Sequence, residues 1–419
     1  MKRMFGTISV IGLGYIGLPT AAMFASRKIQ VIGVDVNADA VATINRGQIH
    51  IVEPDLDIAV QAAVQQGYLR ATTEVEQAEA FLIAVPTPFL NGSHEPDLSY
   101  IEAASRAIAP VLAPGNLVVL ESTSPVGATE QMAAWLAEER PDLTFPQTHG
   151  EQSDVRIAHC PERVLPGKVM QELIHNDRVI GGLSPRCSEM AVSLYRHFVQ
   201  GECFVTHART AEMAKLTENS FRDVNIAFAN ELSMICDELD IDVWELIGLA
   251  NRHPRVNVLQ PGPGVGGHCI AVDPWFIVSS SPERAKLIRT AREVNDGKPE
   301  WVLEKVRSAI GAYLMENSGK SAADVSLAIY GLTFKPDIDD LRESPAMKIA
   351  EALLVEHPGD VFVVEPHINE LPGILKRAEL IEAVQANEHA DVHVILVDHQ
   401  KISDIGISKF AVDLRKPRK

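Results

Sequence analysis

Short apolar runs that end at Gly, Pro or polar residues recur along the first third of the chain, and each predicts a buried β-strand. These runs lie at residues 7–11, 30–34, 80–85 and 117–121. Helical spacing from Arg209 to about Leu239, without Gly or Pro, predicts a single long helix. Its length exceeds that of the usual helix in an α/β sheet, so we expect it to link two lobes.

A second α/β pattern begins at Val325. It comprises predicted strands at 326–332, 360–364 and 391–397 and a predicted helix at 344–355. Strands that alternate with helices are typical of parallel sheets with helices packed on their faces. The chain is therefore expected to be an α/β protein with more than one domain.

The first strand runs directly into Gly12-Leu13-Gly14-Tyr15-Ile16-Gly17 and then into a helix. In this setting the first glycine permits a tight turn, the second lets the backbone approach a pyrophosphate, and the third lets the helix pack on the strand. The second strand ends at Asp35, where a carboxylate accepts hydrogen bonds from an adenosine ribose and repels a 2′-phosphate. The sequence therefore predicts a Rossmann domain that binds NAD rather than NADP.

Two loops follow other buried strands of this domain, Pro86-Thr87-Pro88 and Ser122-Thr123-Ser124-Pro125. In open parallel sheets, ligands bind outside the carboxyl ends of the strands. We expect both loops to lie beside the nicotinamide end of the cofactor, with Thr123 as the foremost candidate. The alternative is that each loop is an ordinary turn between a strand and a helix.

The glycine-rich loop from Gly264 to Cys269 is followed four residues later by Asp273. A thiol flanked by small residues can be approached by a substrate carbon, and positive neighbours can lower its pKa. The alternative is an inert, buried cysteine beside a tight turn. On the long helix, Lys215 and Asn219 are four residues apart and share a face, so an ammonium and an amide can converge on one ligand oxygen.

The net charge of −18, from 38 basic and 56 acidic residues, argues against nucleic acid and anionic membranes as partners. No apolar run approaches the length of a membrane span, and the first strand begins too early to leave room for a signal peptide. Five cysteines without a CxxC pair or metal-ligand spacing predict reduced thiols and no metal site. We therefore expect a cytoplasmic protein.

The second α/β unit lacks GxGxxG, which suggests a nucleotide-like ligand held in a different way. Within it, Lys335 and Arg342 lie shortly before a predicted helix, where positive side chains and the helix N-terminus favour an anion. An NAD fold combined with a nucleophilic cysteine also suggests more than alcohol oxidation. A thiol can add to an aldehyde, and the adduct can be oxidised to a thioester that water releases as a carboxylate.

Taken together, these motifs resemble the nucleotide-sugar 6-dehydrogenases, a family that includes the UDP-glucose and GDP-mannose enzymes. The resemblance runs from Thr7 to about Asp413. It rests on Gly12 to Gly17, Asp35, Glu121-Ser122-Thr123 with Pro125 and Gly127, Cys160-Pro161-Glu162-Arg163, Lys215 with Asn219, Gly266 to Cys269, and Phe334 to Ser344. It implies an N-terminal Rossmann NAD-binding domain at 1–200, a central long-helix dimerisation region with the cysteine loop at 201–315, and a C-terminal Rossmann-like UDP-binding domain at 316–419.

The resemblance also implies roles for individual residues. Cys269 is the expected nucleophile, and Lys215 and Asn219 are expected to stabilise the oxyanions that form at sugar C6. Asp273 and Thr123 are expected to handle protons through water. The implied substrate contacts are Glu162, Arg163, Lys215, Asn219, Arg252, Arg255, Gly266 and Lys335, and the implied cofactor contacts are Gly12, Gly14, Tyr15, Ile16, Gly17, Asp35, Pro86, Thr87, Thr123 and Arg342.

Glu162 is implied as an acid or base of the thioester chemistry. UDP-glucose enzymes commonly carry a second glutamate four residues later, where this chain has Pro166, so we expect a different proton path. Gly267-His268-Cys269 favours the acetamido-sugar branch of the family, and we expect His268 to be a packing residue rather than a base. The implied substrate is a UDP-amino-sugar, UDP-N-acetyl-D-mannosamine foremost, with UDP-N-acetylglucosamine and UDP-glucose left open.

The resemblance further implies a homodimer, in which Arg252 or Arg255 reaches the sugar site of the neighbouring subunit, and a product used for bacterial surface polysaccharide of the enterobacterial common antigen type. Two other classes stay open. A two-electron hydroxyacid-type dehydrogenase also joins a Rossmann domain to a helical one, but it needs neither Cys269 nor a third lobe. A catalytically silent NAD sensor would keep its function without the thiol.

Overall fold

The computed structural model describes residues 5–90, 93–165, 167–267, 269–402 and 410–415. The expectations for Pro166 and His268 fall outside these residues. Contacts within the chain divide it into two compact units, Met1–Glu218 and Asn219–Lys419. The three-domain division at residues 200 and 315 stays a prediction.

The first unit is an α/β structure around one sheet. Its described strands are β1 (Thr7–Ile11), β2 (Gln30–Val34), β3 (Leu69–Thr72), β4 (Ala80–Ile83), β5 (Leu117–Leu120), β6 (Arg156–His159), β7 (Arg178–Gly182) and β8 (Cys203–His207). Its helices are α1 (Gly17–Ser26), α2 (Ala38–Asn45), α3 (Leu56–Gln65), α4 (Ser99–Ile108), α5 (Ala128–Glu139), α6 (Pro146–His149), α7 (Val169–His175) and α8 (Pro185–Tyr195). The strand order is β3-β2-β1-β4-β5-β6-β7-β8, and among these pairs β6 with β7 is antiparallel.

Alternate residues of the central strands face two separate apolar layers, because successive side chains of a strand point to opposite faces. Val10, Leu82 and Val119 belong to the layer that contains α1, and Phe81 and Val118 belong to the other layer. The sheet is therefore covered on both faces, as expected for parallel strands.

The predicted strands 7–11 and 30–34 agree with β1 and β2, whereas β4 ends two residues before the predicted end at residue 85. The carbonyl of Val85 accepts a hydrogen bond from Ser122 Oγ (2.6 Å), and Pro86 has no N–H to continue the strand. The end of β4 thus depends on a contact with the Ser122 side chain, which the apolar pattern of the strand does not predict.

The predicted long helix is α9 (Ala208–Glu238), which crosses from the first unit into the second. The second unit continues with α10 (Val243–Ala250), α11 (Asp273–Ser280), α12 (Lys286–Glu316), β9 (Leu327–Tyr330), α13 (Pro345–Glu356), β10 (Val361–Val364), β11 (Glu379–Leu380), α14 (Ala383–His389), β12 (Val392–Ile395) and β13 (Ala411–Asp413). Its parallel sheet has the order β11-β10-β9-β12-β13, so the predicted second α/β unit is confirmed.

Sequence analysis did not predict α12, which contains Pro299 in its interior. A buried polar network joins this helix to α9. Asp223 Oδ1 accepts hydrogen bonds from Arg292 Nη1 (2.6 Å) and Asn295 Nδ2 (2.8 Å), and Asn230 Nδ2 donates to Asn295 Oδ1 (2.9 Å). These contacts pair the buried charges of Asp223 and Arg292, and such pairing reduces the cost of burying them.

The same network anchors the loop that leads to Cys269, because Asn230 Oδ1 accepts the amide of Gly262 (2.9 Å). Among the described residues, no helix combines the length and the apolar character that a membrane crossing requires.

Candidate active site

The first turn of the N-terminal sheet has the geometry of a dinucleotide-binding turn. Gly12 has φ +89°, and a Cβ there would lie 2.6 Å from the carbonyl oxygen of Ala84. A Cβ at Gly14 would meet no described atom within 4 Å, so this side of the turn is open to a ligand. Tyr15 is exposed beside it, and α1 begins two residues later without a side-chain N-cap. Its first amides can therefore serve a pyrophosphate.

The Asp35 carboxylate lies directly behind this turn. Its Oδ2 accepts the amide of Leu13 (2.9 Å), and its Oδ1 accepts the amide of Asn37 (2.9 Å). Each carboxylate oxygen has a second lone pair for a ribose hydroxyl, and the side chain is half-buried rather than sealed. The residues present thus fit NAD.

The predicted nicotinamide loops lie at the carboxyl ends of β4 and β5, and Ser122 Oγ ties them together through the carbonyl of Val85. Thr87 Oγ1 is buried without a hydrogen-bond partner among the described residues, which makes it available to a ligand. Pro86 is exposed, and Thr123 is half-buried.

Glu162 lies in a buried ion pair that sequence analysis did not predict. Its Oε2 accepts a hydrogen bond from Arg178 Nη1 (2.5 Å), and its Oε1 accepts the backbone amide of Arg163 (2.8 Å). The side chains of Glu162 and Arg178 are 5% and 3% exposed. Removing one partner of such a pair leaves a buried charge, which costs about 3–5 kcal/mol.

A second buried carboxyl, Glu121, shares this environment. Its Oε1 accepts a hydrogen bond from the Tyr195 hydroxyl (2.6 Å), and the Arg178 guanidinium lies 5.1 Å from the centre of the Tyr195 ring. Burial raises the pKa of Glu121 to about 7. The positive charge of Arg178 lowers this pKa, and the negative charge of Glu162 raises it. Burial also raises the pKa of the neighbouring Cys160 thiol to about 12. Burial therefore favours the protonated form of Glu121, whereas Glu162 is paired directly with Arg178.

On α9, the predicted substrate ligand Lys215 is buried one turn before Asn219. One turn earlier, Glu212 accepts the amides of Gly127 (2.7 Å) and Thr129 (2.8 Å) at the start of α5. Glu212 thereby anchors the loop of Thr123 to α9. No local sequence motif indicates this role.

Arg163, another predicted substrate ligand, is already paired in the structure. Its Nη2 lies 2.6 Å from Glu218 Oε1, and its Nε donates to Glu218 Oε2 (3.1 Å). To bind a substrate anion, the Arg163 guanidinium would have to leave this bidentate pair with Glu218.

In the second unit the structure brings three predicted catalytic residues together. Cys269 is exposed, and its carbonyl accepts the amide of Asp273 (2.9 Å). Asp273 is buried at the start of α11, and its Oδ2 accepts a hydrogen bond from Asn219 Nδ2 (2.5 Å). The Asn219 amide group retains a second N–H for a substrate oxygen. The Asp273 carboxylate and the Asn219 amide thus form a hydrogen-bonded pair, and Asp273 follows the exposed cysteine by four residues.

The cysteine loop packs directly against the predicted phosphate loop. A Cβ at Gly266 would lie 2.5 Å from the carbonyl oxygen of Glu343 and 2.8 Å from Cβ of Phe334. Glycine is required at this position because the two backbones touch. The nucleophile loop and the 334–344 loop are therefore neighbours within the second unit.

The remaining predicted ligands are exposed. Lys335 extends from its loop, whereas Arg342 forms a bidentate pair with Asp340 (2.6 and 2.8 Å). Arg252 and Arg255 lie on a loop that Asn251 closes through two hydrogen bonds with the backbone of Val258 (2.7 and 3.0 Å). Such a closed loop holds both arginines outward in the protomer.

Comparison with known proteins places this arrangement in context. The chain matches the three domains of the UDP-glucose/GDP-mannose dehydrogenase family: the NAD binding domain over residues 6–199, the central domain over 209–297 and the UDP binding domain over 328–418.

Curated relatives match along nearly the whole chain. It is 66% identical to a UDP-N-acetyl-D-mannosamine dehydrogenase of Yersinia pestis, over 96% of this chain and 95% of that protein. It is 64% identical to an NDP-N-acetyl-D-galactosaminuronic acid dehydrogenase of Ralstonia nicotianae, over 98% and 96%. The solved structure of the UDP-N-acetyl-mannosamine dehydrogenase of Staphylococcus aureus is 42% identical, with a TM-score of 0.82 over 95% of this chain and 90% of that one.

Proposed function

Because the chain belongs to the UDP-glucose/GDP-mannose dehydrogenase family, whose members are NAD-dependent dehydrogenases, we propose that it oxidises C6 of UDP-N-acetyl-D-mannosamine to a carboxylate. The substrate follows from relatives of that name at 65–66% identity over 96% of the chain. The overall reaction consumes one water and two NAD⁺ and yields the sugar acid, two NADH and three protons.

The proposed covalent steps belong to Cys269. Oxidation of the C6 alcohol gives an aldehyde, whose carbonyl carbon forms a bond with the Cys269 sulfur. Loss of a second hydride converts this thiohemiacetal into a thioester. Water then attacks the carbonyl, the carbon–sulfur bond breaks, and the thiol is regenerated with a free carboxylate.

The other residues support charge and proton movements. Lys215 and the second N–H of Asn219 would stabilise the oxyanions on C6, and Asp273 and Thr123 would exchange protons through water. Glu162 would act as a base rather than an acid, because both of its oxygens already accept hydrogen bonds, one of them from Arg178.

The cofactor would be held by the turn from Gly12 to Gly17, by Asp35 and by the loops that contain Thr87 and Thr123. NAD, when bound, accepts the hydride removed from C6 in each of the two oxidations.

One observation carries the proposal: the exposed Cys269 lies four residues before Asp273, whose carboxylate accepts a hydrogen bond from Asn219, and the cysteine loop packs against the loop of Lys335. A two-electron dehydrogenase would need neither contact. This arrangement supports a nucleophile that works beside a bound nucleotide sugar.

The experiment that tests the proposal measures NADH formed per sugar consumed with excess NAD. UDP-N-acetyl-D-mannosamine, UDP-N-acetylgalactosamine, UDP-N-acetylglucosamine and UDP-glucose are each supplied in limiting amount. Two NADH from the mannosamine compound alone are expected. Two from the galactosamine compound would favour the activity named for the Ralstonia relative, and one NADH from any sugar would contradict the thioester route.

We also propose a cytoplasmic homodimer. On α9, Phe221 and Phe228 are 68% and 52% exposed, and with Ile235 they repeat every seven residues along one face. A second copy of this chain would cover that face, and Arg252 or Arg255 would then reach the partner's sugar.

This assembly predicts that Arg255→Ala raises KM for the UDP-sugar at least about tenfold while KM for NAD changes little. Lys286→Ala, at the exposed start of α12, is the control. Equal effects of Arg255→Ala on both KM values, or a monomer by light scattering, would contradict the assembly.

A further inference from the structure

Two buried side chains and one exposed side chain join three loops at the carboxyl edge of the C-terminal sheet. Glu365 follows β10, His399 follows β12, and Asp337 belongs to the loop after β9 that also carries Lys335. Glu365 and His399 have side chains that are 0% exposed. No motif of the sequence analysis includes Glu365 or His399, and the proposed chemistry does not use them.

His399 uses both ring nitrogens in this cluster. Its Nδ1 accepts the backbone amide of Asp337 (3.0 Å), and its Nε2 lies 3.1 Å from Glu365 Oε2. A backbone N–H can only donate, so Nδ1 carries a lone pair and the proton resides on Nε2, facing the Glu365 carboxylate. The two partners therefore determine the neutral tautomer.

Glu365 connects the histidine to the start of the same loop. Its Oε2 accepts the amide of Leu332 (2.8 Å), and Thr333 Oγ1 donates to the carbonyl of Lys335 (2.9 Å). The loop is thus held before Lys335 by Glu365 and after it by His399.

The far anchor is needed because Asp337 has φ +60°, a conformation that non-glycine residues rarely adopt. Asp337 Oδ1 also accepts the amide of Gln400 (2.9 Å), so this residue is tied to the His399 loop at two points. Without the hydrogen bond to His399 the loop can relax, and the exposed Lys335 would lose its orientation.

We propose that His399 is a positioning residue for nucleotide-sugar binding: it holds the Lys335 loop in the conformation that presents this ammonium to the diphosphate. The inference rests on the proposed function, because it assigns the anion at Lys335 to a UDP-sugar. His367 and Asp337 lie near His399 and raise the alternative of a divalent metal site. The geometry favours the positioning role, since both nitrogens of His399 already have partners.

Two substitutions separate the two bonds of His399. Asn places its Oδ1 near the position of Nδ1 and keeps an acceptor for Asp337, whereas Gln places its amide near Nε2 and keeps a donor to Glu365. We expect His399→Gln to raise both KM for the UDP-sugar and Kd for UDP about tenfold, with kcat and KM for NAD within about twofold. His399→Asn is expected to stay within about threefold of wild type in all four constants.

The link to Lys335 is tested with a double-variant cycle. Lys335→Ala is expected to weaken UDP binding in the wild-type background and to weaken it less, by at least about threefold, when His399→Gln is already present. Thermal unfolding midpoints check that each variant is folded. Independent losses in the cycle, or equal KM increases for NAD and sugar, would overturn the proposal.

The outcomes also separate this inference from the proposed function. Wild-type protein that does not bind UDP by calorimetry would contradict both. Wild-type binding that His399→Gln leaves unchanged would overturn the positioning role alone. Zinc that copurifies at one equivalent and is lost in both His399→Asn and His367→Ala would assign the cluster to a metal and likewise overturn it.

Discussion

The N-terminal and C-terminal sheets repeat one local design. The first five strands have the order β3-β2-β1-β4-β5 in one unit, and the order β11-β10-β9-β12-β13 in the other is equivalent. A glycine follows the central strand in both cases. Gly12 donates its amide to Val34 (2.8 Å), and Gly331 donates its amide to Val364 (2.9 Å).

The two sheets also place an acid at the same point. Asp35 accepts the amide of Leu13, and Glu365 accepts the amide of Leu332, in each case one residue after the glycine. The difference lies in what surrounds the acid. Asp35 is half-buried and open to a ribose, whereas the Glu365 side chain is 0% exposed and is covered by His399.

The segment between the glycine and the next helix also differs in length between the two units. Residues 12–16 join β1 to α1 in one tight turn, and residues 331–344 join β9 to α13 in a longer loop that carries Lys335. A short turn with an open acid suits a dinucleotide backbone. In the second unit the long loop carries the cation Lys335 and the acid is covered, whereas in the first unit the amides at the start of α1 are available to a pyrophosphate. The same strand order is thus compatible with two different ways of binding a nucleotide.

The largest difference between the two units is expected at Cys269, because the proposed covalent chemistry belongs to the second unit. Cys269→Ala removes the nucleophile, so NADH formation should fall at least about a thousandfold. NAD binding, measured by fluorescence, should change less than about twofold. Cys203→Ala in β8 is the matched control, and comparable activity in both variants would disprove the role of the thiol.

Buried glutamates should give opposite pH dependence in the two units. Burial raises the pKa of Glu121 from 4.5 to about 7, so its contribution to folding is present below pH 4.5 and is lost as the pH rises toward 7. The loss is on the order of 3 kcal/mol. Thermal midpoints at pH 5 to 8 should therefore fall more for wild type than for Glu121→Gln, which keeps the acceptor for Tyr195.

Glu365 provides the counterpart to this experiment. Burial alone would raise its pKa, but hydrogen bonds from His399 and the Leu332 amide outweigh burial and lower it. Its contribution is present above its unfolded pKa and is lost as the pH falls. Glu365→Gln should thus be least stable, relative to wild type, at neutral pH. If Glu121→Gln and Glu365→Gln show the same pH trend relative to wild type, the predicted difference between the two glutamates is wrong.

The smallest effect is expected for Asp35→Asn, which removes one charge but keeps one amide acceptor. KM for NAD should rise about tenfold, and the preference over NADP should narrow, because the 2′-phosphate is no longer repelled. Asp39→Asn, an exposed acid in the first turn of α2, is the control. An unchanged KM for NAD would show that the open carboxylate does not read the ribose.

Much of this protein could be predicted from short stretches of sequence. The α/β fold, the NAD cofactor and the family were all predicted and are confirmed. Each depends on neighbours along the chain: a strand, a glycine turn and a helix within Thr7 to Ser26, or a thiol four residues before Asp273. Local sterics and periodicity determine such features, so they are visible without a partner. The roles of the individual site residues remain predictions.

Only the tertiary structure determined which charged and polar side chains meet. Arg178 pairs with Glu162 because β7 lies beside β6, and Tyr195 reaches Glu121 from a helix that packs on β5. His399 reaches Glu365 across β9, which separates their strands. These partners are distant along the chain and have no common motif. Burial requires that each of these side chains has a partner, because an unpaired charge or polar group in the interior is costly. The order of the strands determines which partner lies within reach.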